Sequence, residues 1–447
     1  MLRTRARLAE GALAALMFPA LFALVLLGIP VSFSLIVVGA AFGLPFFGWS
    51  LGQQVLGRLL DVASGFAFAA VPAFVFMGAL LERAGIAERL FAATRMWLGA
   101  LPGGLAIATI AMAAVFAATT GIIGAVEVVI GLMAIGPMLR AGYERGLIAG
   151  TITAGGSLGT IIPPSVTCVI YGLIAQVPVN DLFAGILLPG VIMVALFLAY
   201  ILARCLLRPE DGPQGDPEAR RITLGARLEV TGTALLPALI LIALVLGSIL
   251  AGIASPTEAA AVGALGAALL AAAHGRLSQA LVHAALEKTV LTTAMIMLIV
   301  FGGMLFSSVF YVHGGGRLIQ AVVGGASLAP ALLIAALLAV VFLAGFVLDW
   351  ATIVLLCVPI FNPLLQAAGV DPLWFGVLML ICIQTSYLTP PMAPALFYLR
   401  GVAPPEITYA DMCRGVLPFV LCQVVTLALV MLFPALATWL PGSLKPF

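Results

Sequence analysis

Apolar residues run through this chain in long, nearly unbroken blocks, and the polar positions that interrupt them are few enough to be read one by one. Blocks near 11–29, 31–48 and 66–84 are each long enough for a membrane-crossing helix. After an interfacial segment near 86–98 come a paired apolar block at 101–139, a broken span at 146–176 and a span at 182–206. The same order then returns. Spans near 230–250, 256–273 and 289–311 lead through a Gly-rich connector at 313–327 to a paired block at 328–368, a broken span at 372–400 and a last span at 414–440.

Between the two successions lies one polar break, Arg208-Pro209-Glu210-Asp211-Gly212-Pro213-Gln214-Gly215-Asp216-Pro217-Glu218. Pro, Gly and charge in such density predict a linker. Residues 1–207 then form a first repeat, 208–228 a cytoplasmic linker and 229–447 a second repeat. Register supports the division: Pro163-Pro164 and Pro390-Pro391 are 227 residues apart, and Tyr171 with Tyr398 and Pro178 with Pro405 keep that offset.

Each paired block is too long for one helix and too short for two full crossings. Block 101–139 is interrupted at Thr119-Thr120-Gly121 and block 328–368 between Gly345 and Thr352, so each predicts two half-length helices meeting at a polar tip, a re-entrant hairpin. Irregular backbone at membrane depth survives only when buried in protein or lining a cavity. The broken spans carry Gly155-Gly156-Ser157-Leu158-Gly159-Thr160-Ile161-Ile162-Pro163-Pro164-Ser165 and Gln384-Thr385-Ser386-Tyr387-Leu388-Thr389-Pro390-Pro391. Helices broken at matching positions of two halves mark the midplane binding site of a secondary transporter.

Composition agrees with the pattern. The chain is 63% hydrophobic and only 9% charged, with a strongly positive mean hydropathy, which predicts an all-α polytopic membrane protein. Period-2 alternation, the mark of a membrane barrel, is absent from the sequence. A net charge of +2 gives no reason to expect a nucleic-acid partner. The six cysteines fall in apolar sequence without CxxC or His pairing, which argues against a metal cluster or disulfide framework. The apolar run after Arg3, Arg5 and Arg7 continues through Gly28-Ile29-Pro30 without a convincing cleavage site, so it is read as a span rather than a signal peptide.

Charge also orients the chain. With about ten crossings and two hairpins that return to their own side, an outside N-terminus puts most basic residues, from Arg83 to Arg414, in the cytoplasm. Only Arg3, Arg5, Arg7, Arg58, Arg317 and Lys445 then lie outside. Both termini are therefore expected in the periplasm, and the two repeats are expected to be inverted.

Few side chains in the apolar blocks carry chemistry. Asp349 stands alone, where an unpaired carboxylate costs about 2.5–3.5 kcal/mol. We read it as a cation ligand, with Thr352 beside it; a carboxylate bonded to helix N-termini at the tip is the plainer alternative. Glu127 is a second intramembrane acid, several residues past the first tip, with an ion role, a structural hydrogen bond or a place at the cytoplasmic mouth all open. In the breaks, Gly156, Ser157, Gly159, Thr385, Ser386 and Thr389 offer hydroxyls and freed carbonyls suited to Na⁺. The half-helix N-termini after Pro163-Pro164 and Pro390-Pro391 would face an anionic substrate. Gly, Ser and Thr also simply permit close helix packing.

Gly155-x-Ser157-x-Gly159 matches the hydrolase elbow pattern, but that motif needs a strand-to-helix turn and a His partner. His274, His283 and His313 fall near predicted membrane ends, so an intramembrane hydrolase using Ser157 is a remote reading. Ser255-Pro256-Thr257-Glu258 predicts a capped helix start.

Several of these segments together resemble the large membrane subunit of tripartite ATP-independent periplasmic (TRAP) transporters. The resemblance rests on Ile162-Pro163-Pro164-Ser165, on Leu182 to Gly190, on Ser255 to Ala260, on Phe346-Val347-Leu348-Asp349-Trp350, on Asp371 to Gly376 and on Leu388-Thr389-Pro390-Pro391. It implies an ion-transporter-superfamily fold with a scaffold and an elevator-type transport domain built from the two hairpins and two broken helices. It further implies a bacterial inner-membrane permease that imports a small organic acid with Na⁺. The implied partners are a small four-span membrane subunit and a periplasmic substrate-binding protein; a self-sufficient anion carrier of the same fold is the alternative. Carried over by position, one Na⁺ site would involve Thr119, Thr120 and Gly121 with Gly156, Ser157 and Gly159, and the other Asp349 and Thr352 with Thr385 and Thr389. Ser157, Pro163, Pro164, Ser165, Ser386, Pro390 and Pro391 would face the substrate. The first tip, Thr119-Thr120-Gly121-Ile122-Ile123-Gly124, departs from the Ser-rich form commoner in that family.

Overall fold

A computed structural model describes residues 2–120, 125–213, 223–318, 329–390 and 393–444. Among these described residues helices account for the regular structure, and eight helical segments are long and apolar enough to cross a membrane. The chain is an all-α polytopic membrane protein. In order, α1 (Leu2–Leu26), α2 (Val31–Phe47), α3 (Leu51–Ser64), α4 (Ala70–Arg83) and α5 (Ile86–Leu98) precede a pair, α6 (Gly104–Thr120) and α7 (Ala125–Arg140). Then come α8 (Arg145–Ser157), α9 (Val166–Ala175) and α10 (Val179–Leu207). Past the linker, α11 (Leu224–Val230) runs through a single π turn at Thr231–Leu235 into α12 (Leu236–Leu250), followed by α13 (Pro256–Ala273) and α14 (Gln279–Val312). A second pair, α15 (Pro330–Ala344) and α16 (Trp350–Ala367), leads to α17 (Pro372–Leu388), α18 (Pro394–Arg400), α19 (Tyr409–Leu432) and α20 (Ala435–Leu444).

Local chemistry explains where these helices start. Ser255 forms the expected capping box, its hydroxyl accepting from Glu258 N at 3.3 Å while Glu258 Oε2 accepts from Ser255 N at 2.8 Å. Glu144 and Asp371, 227 residues apart, both cap a half-helix: Glu144 accepts from Gly146 and Leu147 at the start of α8, and Asp371 from Leu373 at the start of α17. Each spares first-turn amides from burial without a partner.

Three boundaries differ from the apolar pattern. Helix α3 was not expected, because Gln53, Gln54, Arg58 and Asp61 interrupt its apolar run; it is an exposed amphipathic helix with an Arg58–Asp61 ion pair at 3.2 Å. Helix α14 begins at Gln279, ten residues before the predicted span, because Ser278 caps it and Lys288 is neutralised by Glu82 of α4 at 2.5 Å. The single final span is two helices, α19 and α20, since Phe433 leaves helical geometry ahead of Pro434, which has no N–H to continue the ladder.

Helix α8 is the most enclosed element, with every residue from Gly146 to Ser157 buried. It packs closely on α19, where Gly146 and Gly150 face Gly415, while α2 packs on α14 and α4 on α13. A polar clasp holds the first segment of the linker. Arg204 of α10 donates to Asp211 at 2.8 Å, to Tyr200 at 2.9 Å and to Glu144 at 3.1 Å, and Glu144 N donates to the Asp211 carbonyl at 3.0 Å.

The Lys288–Glu82 and Arg58–Asp61 ion pairs should behave differently. Lys288 and Glu82 are each about four-fifths buried, so Lys288→Ala is expected to destabilise by about 2 kcal/mol, between the exposed and fully buried cases. Arg58→Ala, in an exposed pair, is expected to change stability by less than about 0.5 kcal/mol. Thermal midpoints of the purified variants give the comparison, and equal shifts would contradict it.

Candidate functional site

At the second tip the chain leaves α15 at Ala344, turns through Gly345 to Leu348 and enters α16 at Asp349. Asp349 sits in extended backbone, the usual N-cap geometry, and its carboxylate accepts from Ala351 N at 3.1 Å, from Thr352 N at 3.4 Å and from the Thr352 hydroxyl. The plainer of the two sequence readings is the one observed here: Asp349 caps a half-helix at the tip. The tip rests directly on the second broken helix. A Cβ on Gly345 would lie 2.0 Å from Ser386 Oγ, so only glycine permits this approach.

Helix α17 ends at Leu388, and its last-turn hydroxyls bond back along the helix. Thr385 donates to Ile381 O at 2.8 Å, Ser386 to Ile383 O at 2.9 Å and Thr389 to Thr385 O at 2.7 Å. Each oxygen keeps acceptor capacity after that donation. Pro390 closes the described part of the break, and Pro391 lies outside the described residues.

The first break is gripped between both helices of its pair. A Cβ on Gly155 would meet Ala113 of α6 at 2.8 Å, and one on Gly156 would meet Glu127 Cγ of α7 at 2.3 Å. Glu127 is thus fully buried against the break. Gly159 lies in the short 3₁₀ turn Leu158–Thr160 that follows α8, and Thr119 donates to Phe116 O at 2.7 Å. Gly121 and the Thr120 side chain lie outside the described residues, so the first tip itself has no described geometry.

Ser157 is the hub between the two breaks. Its hydroxyl donates to Ala154 O at 2.8 Å and accepts from Gln384 Nε2 at 2.9 Å and Gln423 Nε2 at 3.3 Å. Ser157 and Gln384 are 227 residues apart, the same offset that relates the two Pro-Pro pairs. Its partners are two carboxamides, and it ends a helix rather than turning out of a strand, so the hydrolase geometry is not met. Ser157→Ala leaves both buried amides without this acceptor, at about 1–3 kcal/mol each. A lowered thermal midpoint is expected, whereas no change would show that the network contributes little.

A cavity of about 620 Å³ opens between α2 and α14 on one side and the second tip, α17, α9 and α18 on the other. Asp349, Trp350, Ser386 and Tyr387 line it, together with Phe397 and Tyr398. Ser157, Pro163, Pro164, Ser165 and Pro390, expected to face substrate, are not among its lining residues, whereas Ser386 is. Ser165 instead donates to Thr160 O at 3.0 Å, and Pro164 packs beside Thr119 at Val245. The two breaks meet, but one cavity belongs mainly to the second.

Sequence reasoning missed Gln384 and Gln423 as the partners of Ser157, and the aromatic lining of the cavity. It also left open where Glu127 sits. The buried Tyr387 hydroxyl interacts with the Glu127 carboxylate, while Tyr398 is within electrostatic reach of both Glu127 and Asp349. The two acids are thereby linked through side chains of the second broken segment.

Comparison with known proteins adds a family. Residues 18–436 match the family model described as the tripartite ATP-independent periplasmic transporter, DctM component. The C4-dicarboxylate TRAP transporter large permease protein DctM of Pseudomonas aeruginosa is 31% identical over 392 residues, covering 87% of this chain and 89% of that one. The ectoine TRAP transporter large permease protein TeaC of Halomonas elongata is 29% identical over 427 residues, covering 95% and 98%. The crystal structure of the Alcanivorax borkumensis YdaH transporter has a similar fold, with a TM-score of 0.63 over 88% of this chain and 90% of that one at 17% identity.

Proposed function

Because this chain belongs to the family of TRAP transporter large permease components, we propose that it is the permease subunit of a Na⁺-coupled importer of a small organic acid. It is a transporter subunit and not an enzyme. The observation that carries the coupling is Asp349: a carboxylate capping a half-helix at a break in apolar sequence, on the wall of the 620 Å³ cavity. In this reading the cap supplies negative charge beside the Thr352 hydroxyl that donates to it, and the Thr385 and Thr389 oxygens of α17 would complete a donor set suited to a hard cation. A second ion site would draw on the Thr119 oxygen and the backbone carbonyls of Gly156, Ser157 and Gly159, all neutral, since the Ser157 hydroxyl is taken up by Ala154, Gln384 and Gln423; Glu127 packs on Gly156.

The 227-residue offset supports an inverted repeat, with 1–207 and 229–447 as its halves. In this reading the pairs α6–α7 and α15–α16 are re-entrant hairpins. They travel with the broken helices α8–α9 and α17–α18 as one transport domain against a scaffold, in an elevator motion. The chain lies in the bacterial inner membrane with both termini in the periplasm, beside a small four-span subunit. A periplasmic binding protein delivers the substrate. Relatives named for C4-dicarboxylates, ectoine and sialic acid support small polar metabolites as the general cargo.

Reconstitution tests the reading. Proteoliposomes containing this chain, the small subunit and the loaded binding protein are expected to accumulate the binding protein's ligand under an imposed Na⁺ gradient. Omitting either partner should reduce uptake to background. Uptake by this chain alone would instead establish a self-sufficient carrier.

A further inference from the structure

The cavity beside Asp349 carries a statement about substrate chemistry that the family does not. Its volume of about 620 Å³ is that of a small-molecule site. Five of its lining side chains are aromatic: Phe346, Trp350, Tyr387, Phe397 and Tyr398. Among the described residues that line it there is one acid, Asp349, and no Lys, Arg or His. Its hydroxyl groups are the neutral ones of Ser32, Thr292, Ser386, Tyr387 and Tyr398, of which Ser386 already donates to Ile383 O.

On the reading of this chain as the permease, we propose that the cavity takes an organic acid with a single carboxylate on an apolar, ring-stacking body. Charge sets the upper limit. A substrate carboxylate enters a site that already holds Asp349, and one coupling cation at the tip offsets that acid. Each further carboxylate adds Coulomb repulsion in a low-dielectric wall with no basic side chain to answer it. A dicarboxylate therefore fits the lining poorly. The rings set the body: their faces favour offset or edge contacts with another flat apolar group, and their negative faces disfavour a second anionic end.

Aromatic walls near an acid also suit a zwitterion with a quaternary ammonium group. In the proposed function the charge of Asp349 is already matched by the coupling cation, which leaves no net negative charge on the wall for an ammonium group, so the monocarboxylate is favoured.

The test uses the purified full-length chain, with benzoate, phenylacetate, succinate and glycine betaine as probes in matched NaCl and KCl buffers, read by calorimetry and tryptophan emission. Benzoate or phenylacetate is expected to bind in NaCl at least tenfold more tightly than succinate or betaine. Phe346→Ala and Tyr398→Ala are each expected to weaken that binding at least fivefold, with Trp350→Phe retaining it. The proposal is overturned by tighter binding of succinate or betaine, by no saturable binding of either aryl acid, or by two alanine variants that bind as the parent does. Thermal stabilisation by Na⁺ without any acid is measured on the same sample. Its presence alongside a preference for succinate sinks the substrate class alone, and its absence sinks the Na⁺-coupled reading on which the class rests.

Discussion

Asp349→Asn is expected to remove Na⁺-stimulated uptake in cells carrying the complete transporter while the variant stays folded in the membrane. The substitution separates the two jobs of this side chain. Asparagine is as good an N-cap as aspartate, so the bonds from Ala351 N and Thr352 N to the cap can persist. What disappears is the negative charge, and with it the electrostatic reason for a cation to sit at the break. A membrane potential contributes about 2.3 kcal/mol per charge per 100 mV, so losing one coupled ion lowers the attainable accumulation about 50-fold at 100 mV. Asp349→Ala should add a stability loss of about 1 kcal/mol from the missing cap. Uptake as a function of Na⁺ concentration, beside the thermal midpoint of each variant, checks both parts. Unchanged Na⁺ dependence in Asp349→Asn would reject Asp349 as a ligand.

Gly415→Ala should remove folded protein from the membrane altogether. A Cβ there would lie 1.9 Å from the Gly146 carbonyl oxygen, and one on Gly150 would lie 2.2 Å from the Gly415 carbonyl oxygen. The opposing atoms are backbone on both sides, so no side chain can rotate away. The Gly146-x-x-x-Gly150 spacing puts both glycines on one face of α8, the small-residue arrangement that lets two membrane helices touch. Forcing α8 and α19 apart would disturb the segment that ends in Ser157 and its two glutamine partners, so a loss above about 4 kcal/mol is expected. Gly247→Ala is the control: nothing lies within 4 Å of its added Cβ, and it should be neutral or slightly stabilising. Size-exclusion profiles and thermal midpoints of the two variants and the parent decide. A well-folded Gly415→Ala protein would show that α8 and α19 do not meet at these glycines.

Much of the helix order was legible because membrane spans need long apolar runs and this chain has few charges to blur them. The Ser255 cap and the ends of α8 and α17 followed from Gly, Ser, Thr and Pro at positions with specific backbone consequences. Helix α3 was not legible, since an amphipathic helix lacks a long apolar run. The split between α19 and α20 was written in Pro434 but hidden by apolar residues on both sides. At the site, Asp349 stood out as a lone charge, whereas Gln384 and Gln423 did not, because a glutamine gains its role only from a partner 227 or 266 residues away. Applying the 227-residue register to every polar residue would have paired Ser157 with Gln384. Glu127 was visible as an intramembrane acid, yet its packing on Gly156 required the crossing of α7 and α8. The expected first-tip ligands Thr120 and Gly121 are not described, so the asymmetry between the tips rests on composition: Asp349 in one, no carboxylate in Thr119 to Gly124 of the other.

Direct binding of radioactive ²²Na⁺ to the purified chain tests the central claim without knowledge of the substrate. The account predicts saturable binding that excess unlabelled Na⁺ displaces and K⁺ does not, with at least one site lost in Asp349→Asn. No saturable binding, or the same stoichiometry in parent and variant, would contradict it.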